Sequence, residues 1–165
     1  MPIGLMNFIR RRHLDAVVIS QKSQYAVRAV LELAKNEGTG ATTSARIAAA
    51  QCIPGRFLDN ILAQLKCAGI VESVRGKKGG HVLGWPPKDL SVGEVVRAVQ
   101  GCLHPVECLD AKTDSVCPLR AGCVLQPVWE RAHTAMMNVL DSTSFQQLLE
   151  EEAAARGVEA LDYVI

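Results

Sequence analysis

Ile53-Pro-Gly-Arg-Phe-Leu-Asp-Asn-Ile-Leu62 and, eleven residues on, Ser73-Val-Arg-Gly-Lys-Lys-Gly-Gly80 decide the fold. In the first stretch and just beyond it, Leu58, Ile61, Leu62 and Leu65 recur at helical spacing, so one side of a helix from Pro54 to about Cys67 is apolar. Pro54 suits the start of such a helix and Gly69 its end. The opposite face then collects Arg56, Asn60 and Gln64 at i, i+4 and i+8. Side chains of these types carry the donor and acceptor patterns that read base edges in a major groove. Around the second stretch, Ile70–Val74 and His81–Leu83 are short strand-forming runs that flank a Gly/Lys turn, which reads as a β-hairpin. Its tip, Arg75, Gly76, Lys77 and Lys78, combines charge with a backbone able to approach phosphates closely.

Upstream, Ala26, Ala29, Val30 and Leu33 mark Gln21 to Asn36 as an amphipathic helix, and Gly38-Thr39-Gly40 breaks it. Thr43 or Ser44 caps a second, short helix through Ala50, followed by a tight turn to Pro54. Three short helices and then a hairpin make a winged helix-turn-helix. Downstream, Trp85-Pro86-Pro87 is an extended connector, and Ser91-Val92-Gly93-Glu94 is a capping box that opens a helix ending at Gly101. Residues 102–122 show no periodicity, which is unusual inside a compact domain unless a ligand organises them. Leu125, Val128, Ala132, Met136 and Val139 then mark a long helix. A polar break at Asp141–Ser144 precedes a last, acidic helix.

The expected fold class is therefore mainly α with a small β-hairpin wing: a winged helix-turn-helix plus a long C-terminal dimerisation helix. Four regions follow. Residues 1–18 are an N-terminal extension, 19–101 the DNA-binding domain, 102–123 a cysteine-rich loop, and 124–165 the dimerisation helix and tail. A winged domain of this size lacks the core to cover the Leu125–Val139 stripe, so a second copy is expected on it.

Charge divides the chain in the same way. The net charge of +1 conceals 14 Lys/Arg against 7 Asp/Glu before residue 102, and 4 against 10 after it. A basic front half suits a polyanion, and an acidic back half suits a part that does not touch it. No stretch approaches the roughly 18 apolar residues of a membrane span. The apolar start of the chain precedes Arg10-Arg11-Arg12, the reverse of a secretory signal, so a cytoplasmic protein is expected. In that reducing compartment six cysteines serve more naturally as ligands, sensors or core residues than as disulfides.

Cys108, Cys117 and Cys123 lie together in the shapeless segment, with eight and five residues between them. Zinc sites usually bring their cysteines in pairs two to four apart, whereas soft thiolates also suit iron–sulfur clusters. Spacing alone leaves a metal site, a disulfide switch and incidental thiols all open. Cys102 is a spare thiol or an alternative ligand. Cys52 and Cys67, flanking the third helix, read as buried small hydrophobes. His133, on the long helix, reads as an interface or surface residue. No Cys-x-x-Cys pair, nucleophile–base constellation or phosphate loop is present, so neither an enzyme nor a small-molecule substrate is expected.

These pieces resemble the bacterial winged-helix regulators that include IscR, NsrR, RirA and CymR. The likeness runs from about Ile19 to Leu149. It rests on Ser20-Gln-Lys-Ser-Gln-Tyr-Ala-Val-Arg-Ala29, on the two stretches quoted first, and on Val92-Gly-Glu-Val-Val-Arg-Ala-Val99. The resemblance implies a homodimer on a two-fold symmetric operator in double-stranded DNA. Phosphate contacts would come from Lys22, Arg28, Arg75, Lys77 and Lys78. It further implies an iron–sulfur cluster, 2Fe-2S or 4Fe-4S, on Cys108, Cys117 and Cys123, sensing iron, nitric oxide or redox state. Val106-Glu107-Cys108 and Cys117-Pro118-Leu119 are similar to the nitric-oxide- and iron-responsive branches. CymR-like members instead work without a cluster, through a metabolite or protein partner.

The chain departs from the family at the fourth ligand. Where one branch has a carboxylate in the first helix this chain has Gln24, and where another has a histidine three residues after the last cysteine it has Gln126. Glutamine, water, Glu107, Asp110, His104 or Cys102 are the available substitutes. His81 stands where relatives often place an aromatic residue. Arg10-Arg11-Arg12-His13 lies outside the resemblance, as a DNA-contacting arm or as sequence upstream of the usual start.

Overall fold

The computed structural model describes residues 19–162, apart from Lys77, Cys102, residues 111–116, 118–119 and 121, and the side chains of Glu107 and residues 157–162. The N-terminal extension, the central lysine of the wing and the spare thiol Cys102 lie outside the described residues.

Local sequence explains where each helix begins. In α1 (Gln21–Lys35) the Ser20 hydroxyl accepts from the Ser23 N–H, and in α2 (Ser44–Gln51) the Thr43 hydroxyl accepts from the Arg46 N–H. Each cap satisfies a donor that a helix start otherwise leaves unpaired. Helix α3 (Gly55–Cys67) follows Pro54 without a side-chain cap. The expected capping box is present in α4 (Val92–Gln100), with the Ser91 hydroxyl and the Glu94 carboxylate bonding each other's backbone N–H. Between α3 and α4, β1 (Val71–Val74) and β2 (Gly80–Leu83) pair antiparallel from Val71↔Leu83 to Val74↔Gly80. The connector at Trp85-Pro86-Pro87 contains one short 3-10 turn, Pro87–Asp89, which the sequence did not signal.

One core joins these elements. Ala26, Ala29 and Val30 of α1, Ile47 of α2, Leu58, Ile61 and Leu65 of α3, Val71 of β1, Leu90, and Val95 of α4 are nearly or wholly buried. Full burial of each large aliphatic side chain stabilises by about 1.5–3 kcal/mol, before conformational entropy is set against it. A polar knot reinforces α1 against α2: buried Glu32 accepts from Gln51 Nε2 at 2.9 Å and Asn36 Nδ2 at 3.2 Å.

The C-terminal half forms α5 (Gln126–Ser142) and α6 (Phe145–Asp162), parted at Thr143 and Ser144, two residues later than the polar composition suggests. Their junction is sewn to the start of α4, with Val92 N–H donating to Thr143 O and Phe145 N–H to Leu90 O. Arg97 adds an ion pair to Asp141 at 2.6 Å. Phe145 is fully buried in the winged core, with Leu148 and Leu149 packed at its edge. Lys35 of α1 pairs with Glu152 at 2.8 Å. Helix α5 differs from every other long element: none of its residues is buried.

One expectation is overturned. Cys52 and Cys67 are exposed, not core residues. Cys52 closes α2 in a left-handed conformation with φ 51°, and Cys67 ends α3, so both sit where a helix runs out into solvent.

Candidate nucleic-acid interface and thiol segment

The apolar stripe of α3 faces the core, and this turns Arg56, Asn60 and Gln64 outward together, all exposed. The Arg56 guanidinium lies 5.1 Å from the Phe57 ring centroid, a cation–π contact that holds it on the helix surface. Asn60 Nδ2 donates to Arg56 O at 3.3 Å. Phe57 is itself 46% exposed, a residue that the sequence reading passed over. Its signal was present, as an aromatic side chain beside the polar row and outside the buried set.

The wing stands against α2. Thr42 and His81 exchange backbone hydrogen bonds of 2.9 and 2.8 Å, and Gly80 lies so close to Thr42 that a side chain there would strike the Thr42 carbonyl. His81 Nε2 is 3.1 Å from Ser44 Oγ. Burial, helped by the nearby Lys66 ammonium and opposed by Asp59, holds the His81 pKa below its ordinary value. A neutral imidazole therefore tethers the wing near neutral pH. At the tip, Arg75 and Lys78 are exposed, and Gly76 adopts φ 115°, a conformation that favours glycine. Arg28 is exposed on α1, whereas Lys22 is half-buried and donates to Val99 O at 3.3 Å, near the C-terminal end of α4.

The segment after α4 starts with buried Leu103 and makes a short 3-10 turn, Glu107–Leu109, packed on α5. Cys108 in that turn and Cys123 just before α5 are half-buried, Cys117 is exposed, and all three thiols are free. The Cys123 carbonyl accepts from Gln126 N–H at the α5 start, so this thiol sits at the helix root. Among the described residues, no three His, Cys, Asp or Glu side chains are gathered closely enough to hold a metal ion. The two glutamines at the family's ligand positions are engaged locally. Gln24 Nε2 donates to Ile19 O and Gln126 Nε2 to Glu130 Oε1, each at 2.9 Å.

Sequence reasoning missed one arrangement beside these thiols. His104 stacks on His133 of α5, with ring centroids 5.0 Å apart and planes inclined by 28°. The Nδ1 atoms of both rings are buried without a hydrogen-bond partner. His81 Nδ1 in the wing is buried without a partner in the same way, so the feature is not confined to the thiol segment. Cysteine sulfurs are donors of the kind an iron–sulfur group takes. By donor type the three cysteines suit that group, although the described residues do not gather them around a common point.

Known proteins agree with this architecture. CymR of Bacillus subtilis is 33% identical over 130 residues, covering 79% of this chain and 88% of its own; its solved structure, titled the global cysteine regulator, superposes with a TM-score of 0.67. The structure of T. potens IscR is 31% identical with a TM-score of 0.68, covering 82% of this chain and 88% of that one. A structure of the oxidized form of Staphylococcus aureus CymR is 29% identical with a TM-score of 0.63, covering 79% and 94%. Together with these likenesses, the match of residues 19–151 to the family model described as Rrf2, iron-dependent transcriptional regulator, establishes that the chain belongs to the Rrf2 family.

Proposed function

We propose that this Rrf2-family regulator binds operator DNA as a homodimer, and that what the thiols of Cys108, Cys117 and Cys123 hold sets how well it binds. The observation behind this reading is that the thiol segment forms the root of a helix with an exposed apolar face. Val139 of α5 is 64% exposed, and Val124 and Leu125 just before the helix are 84% and 53% exposed. A second copy laid on that face would remove this apolar surface from water and fix the distance between two α3 helices. Half-sites about one helical turn apart make that distance decisive for affinity.

In this reading Arg56, Asn60 and Gln64 reach base edges from α3. Arg28, Arg75, Lys77 and Lys78 meet phosphates, and Lys22 has a second task in tying α1 to α4. Helix α5 is pinned at its far end by Asp141 and Thr143 and springs from Cys123 at its near end. Movement of the thiol segment therefore swings the near end of α5 about a fixed far end. An iron–sulfur cluster on the three thiolates would supply sensitivity to iron supply, nitric oxide or oxidation.

A second reading keeps the fold and drops the cluster: two of the thiols form a disulfide on oxidation. The likeness to CymR, solved also in an oxidized form, favours it. Anaerobic purification with iron and sulfide analysis separates the two. Under the cluster reading the protein is coloured, holds iron and sulfide, and changes its operator affinity on exposure to nitric oxide. A colourless, metal-free protein whose operator binding responds to diamide and is restored by dithiothreitol supports the disulfide reading. Operator binding indifferent to both treatments overturns the thiol-controlled function.

A further inference from the structure

We propose that the hollow between the base of the wing and α4 binds an amino acid with an apolar side chain, its charged head held by Glu94 and Arg97. The site stands apart from the DNA-facing row and from the thiols, and adds a second input to the function proposed above. Ala68 at the end of α3, Ile70 and Trp85 at the base of the hairpin, Leu90 ahead of α4 and Ala98 within it line a cavity of about 360 Å³. That volume lies in the range of about 300–1,000 Å³ usual for small-ligand pockets. Trp85 is 45% exposed, an apolar wall that the winged core does not cover.

The charges at the rim choose the ligand. Glu94 and Arg97, three residues apart on α4, line both the apolar cavity and a polar hollow of about 470 Å³. In that second hollow they join Lys88, Ser91, Asp141 and Ser144. An apolar chamber that meets a polar one at a carboxylate and a guanidinium suits an apolar body with a head group of both signs. An apolar acid would face Glu94 and an apolar amine would face Arg97, whereas an α-amino acid satisfies both. Each group has capacity for the task. The bonds that Glu94 accepts from Ser91 N–H and Oγ both fall on Oε2, and the second oxygen of a carboxylate accepts in its own right. Arg97 meets Asp141 through Nη1, and a guanidinium carries five N–H donors in a fork that fits a further carboxylate. The same pair ties α4 to α5 and lies over Gly93, where a Cβ would strike the Asp141 carboxylate. A ligand carboxylate on Arg97 therefore acts on the pin at the far end of α5, and its binding alters operator affinity.

Isothermal titration calorimetry of the full-length protein tests the assignment with L-leucine, L-methionine and L-phenylalanine, each beside its des-amino acid and its decarboxylated amine. At least one amino acid should bind about tenfold or more tightly than both of its single-charge analogues, the worth of one charged hydrogen bond. Glu94→Gln, which can keep the helix cap, should abolish the advantage over the acid, and Arg97→Gln the advantage over the amine. Ala68→Phe fills the cavity from an exposed position and should weaken binding about tenfold or more, with an unchanged far-ultraviolet spectrum to show that it folds. Should it fail to fold, the two charge variants decide. Operator affinity should shift several-fold in wild type at saturating amino acid and stay constant in Ala68→Phe. No binding by wild type, an acid or amine that binds as tightly as its amino acid, or full binding by folded Ala68→Phe overturns the site. Wild-type operator affinity unmoved at saturation overturns its link to α5. Neither result touches the thiol reading, which iron and sulfide analysis decides.

Discussion

The winged domain and the thiol segment with α5 are built on opposite terms. In the first, α1 to α4 and the hairpin close around Leu58, Ile61, Leu65, Val30 and Val95, all nearly or wholly buried, and every helix start but that of α3 is satisfied by a side-chain cap. Phe145 of α6 completes that core. In the second, no residue of α5 is fully buried, and Leu125, Val128 and Val139 at its start and along it are exposed. In the function proposed above, that region's geometry is set by a second copy or by what the thiols hold. Under the proposed function the division keeps the DNA-reading surface fixed while the part that sets its spacing responds.

The sharpest way to break this contrast is to damage each region in turn. Leu58→Ala in the winged core should cost about 2–5 kcal/mol, read as a fall in the urea midpoint. Joint replacement of Cys108, Cys117 and Cys123 by serine in metal-free protein should change stability by less than about 1 kcal/mol. Equal losses would mean that the thiol segment is structural.

Two substitutions divide the DNA-facing surface itself. Arg56→Ala should cost about 1–3 kcal/mol at the cognate operator and relax preference at one base pair, measured across a set of single-base variants. Uniform weakening on all sequences would make Arg56 a phosphate contact instead. Lys78→Ala should weaken every sequence alike and lower the slope of log affinity against log salt by about 1.

The smallest expected effect concerns His81, where wing meets α2. Its pKa is depressed in the folded protein, so below about 6.5 the unfolded chain takes up a proton that the folded chain resists. This residue costs no stability above that range and a growing amount as pH falls through it. His81→Phe should flatten the corresponding part of the wild-type stability–pH curve. An unchanged curve would show that His81 is not depressed by its surroundings.

Legibility in the sequence follows the same division. The period of Leu58, Ile61, Leu62 and Leu65, the Ser91–Glu94 box and the Gly/Lys turn are local signals, and each led to its element within a residue or so. Cys52 and Cys67 misled because cysteine's usual burial says nothing about a residue placed at an exposed helix end. Phe145 was read as part of an acidic tail, since its place in the core depends on a return of the chain to α1 that no local pattern announces. The His104–His133 stack joins residues 29 apart across an aperiodic segment, beyond any spacing rule. The three thiols were visible as a set in the sequence, and the described residues do not bring three ligating side chains together.

The central claim is that thiol chemistry beside α5 governs a reading surface which does not itself change. Operator binding by anaerobically purified wild type and by the Cys108→Ser, Cys117→Ser, Cys123→Ser triple variant, each before and after nitric oxide, tests it most directly. The account predicts that wild-type affinity shifts at least several-fold on exposure, while the variant binds with one affinity throughout. Identical binding by both proteins, treated and untreated, would contradict it.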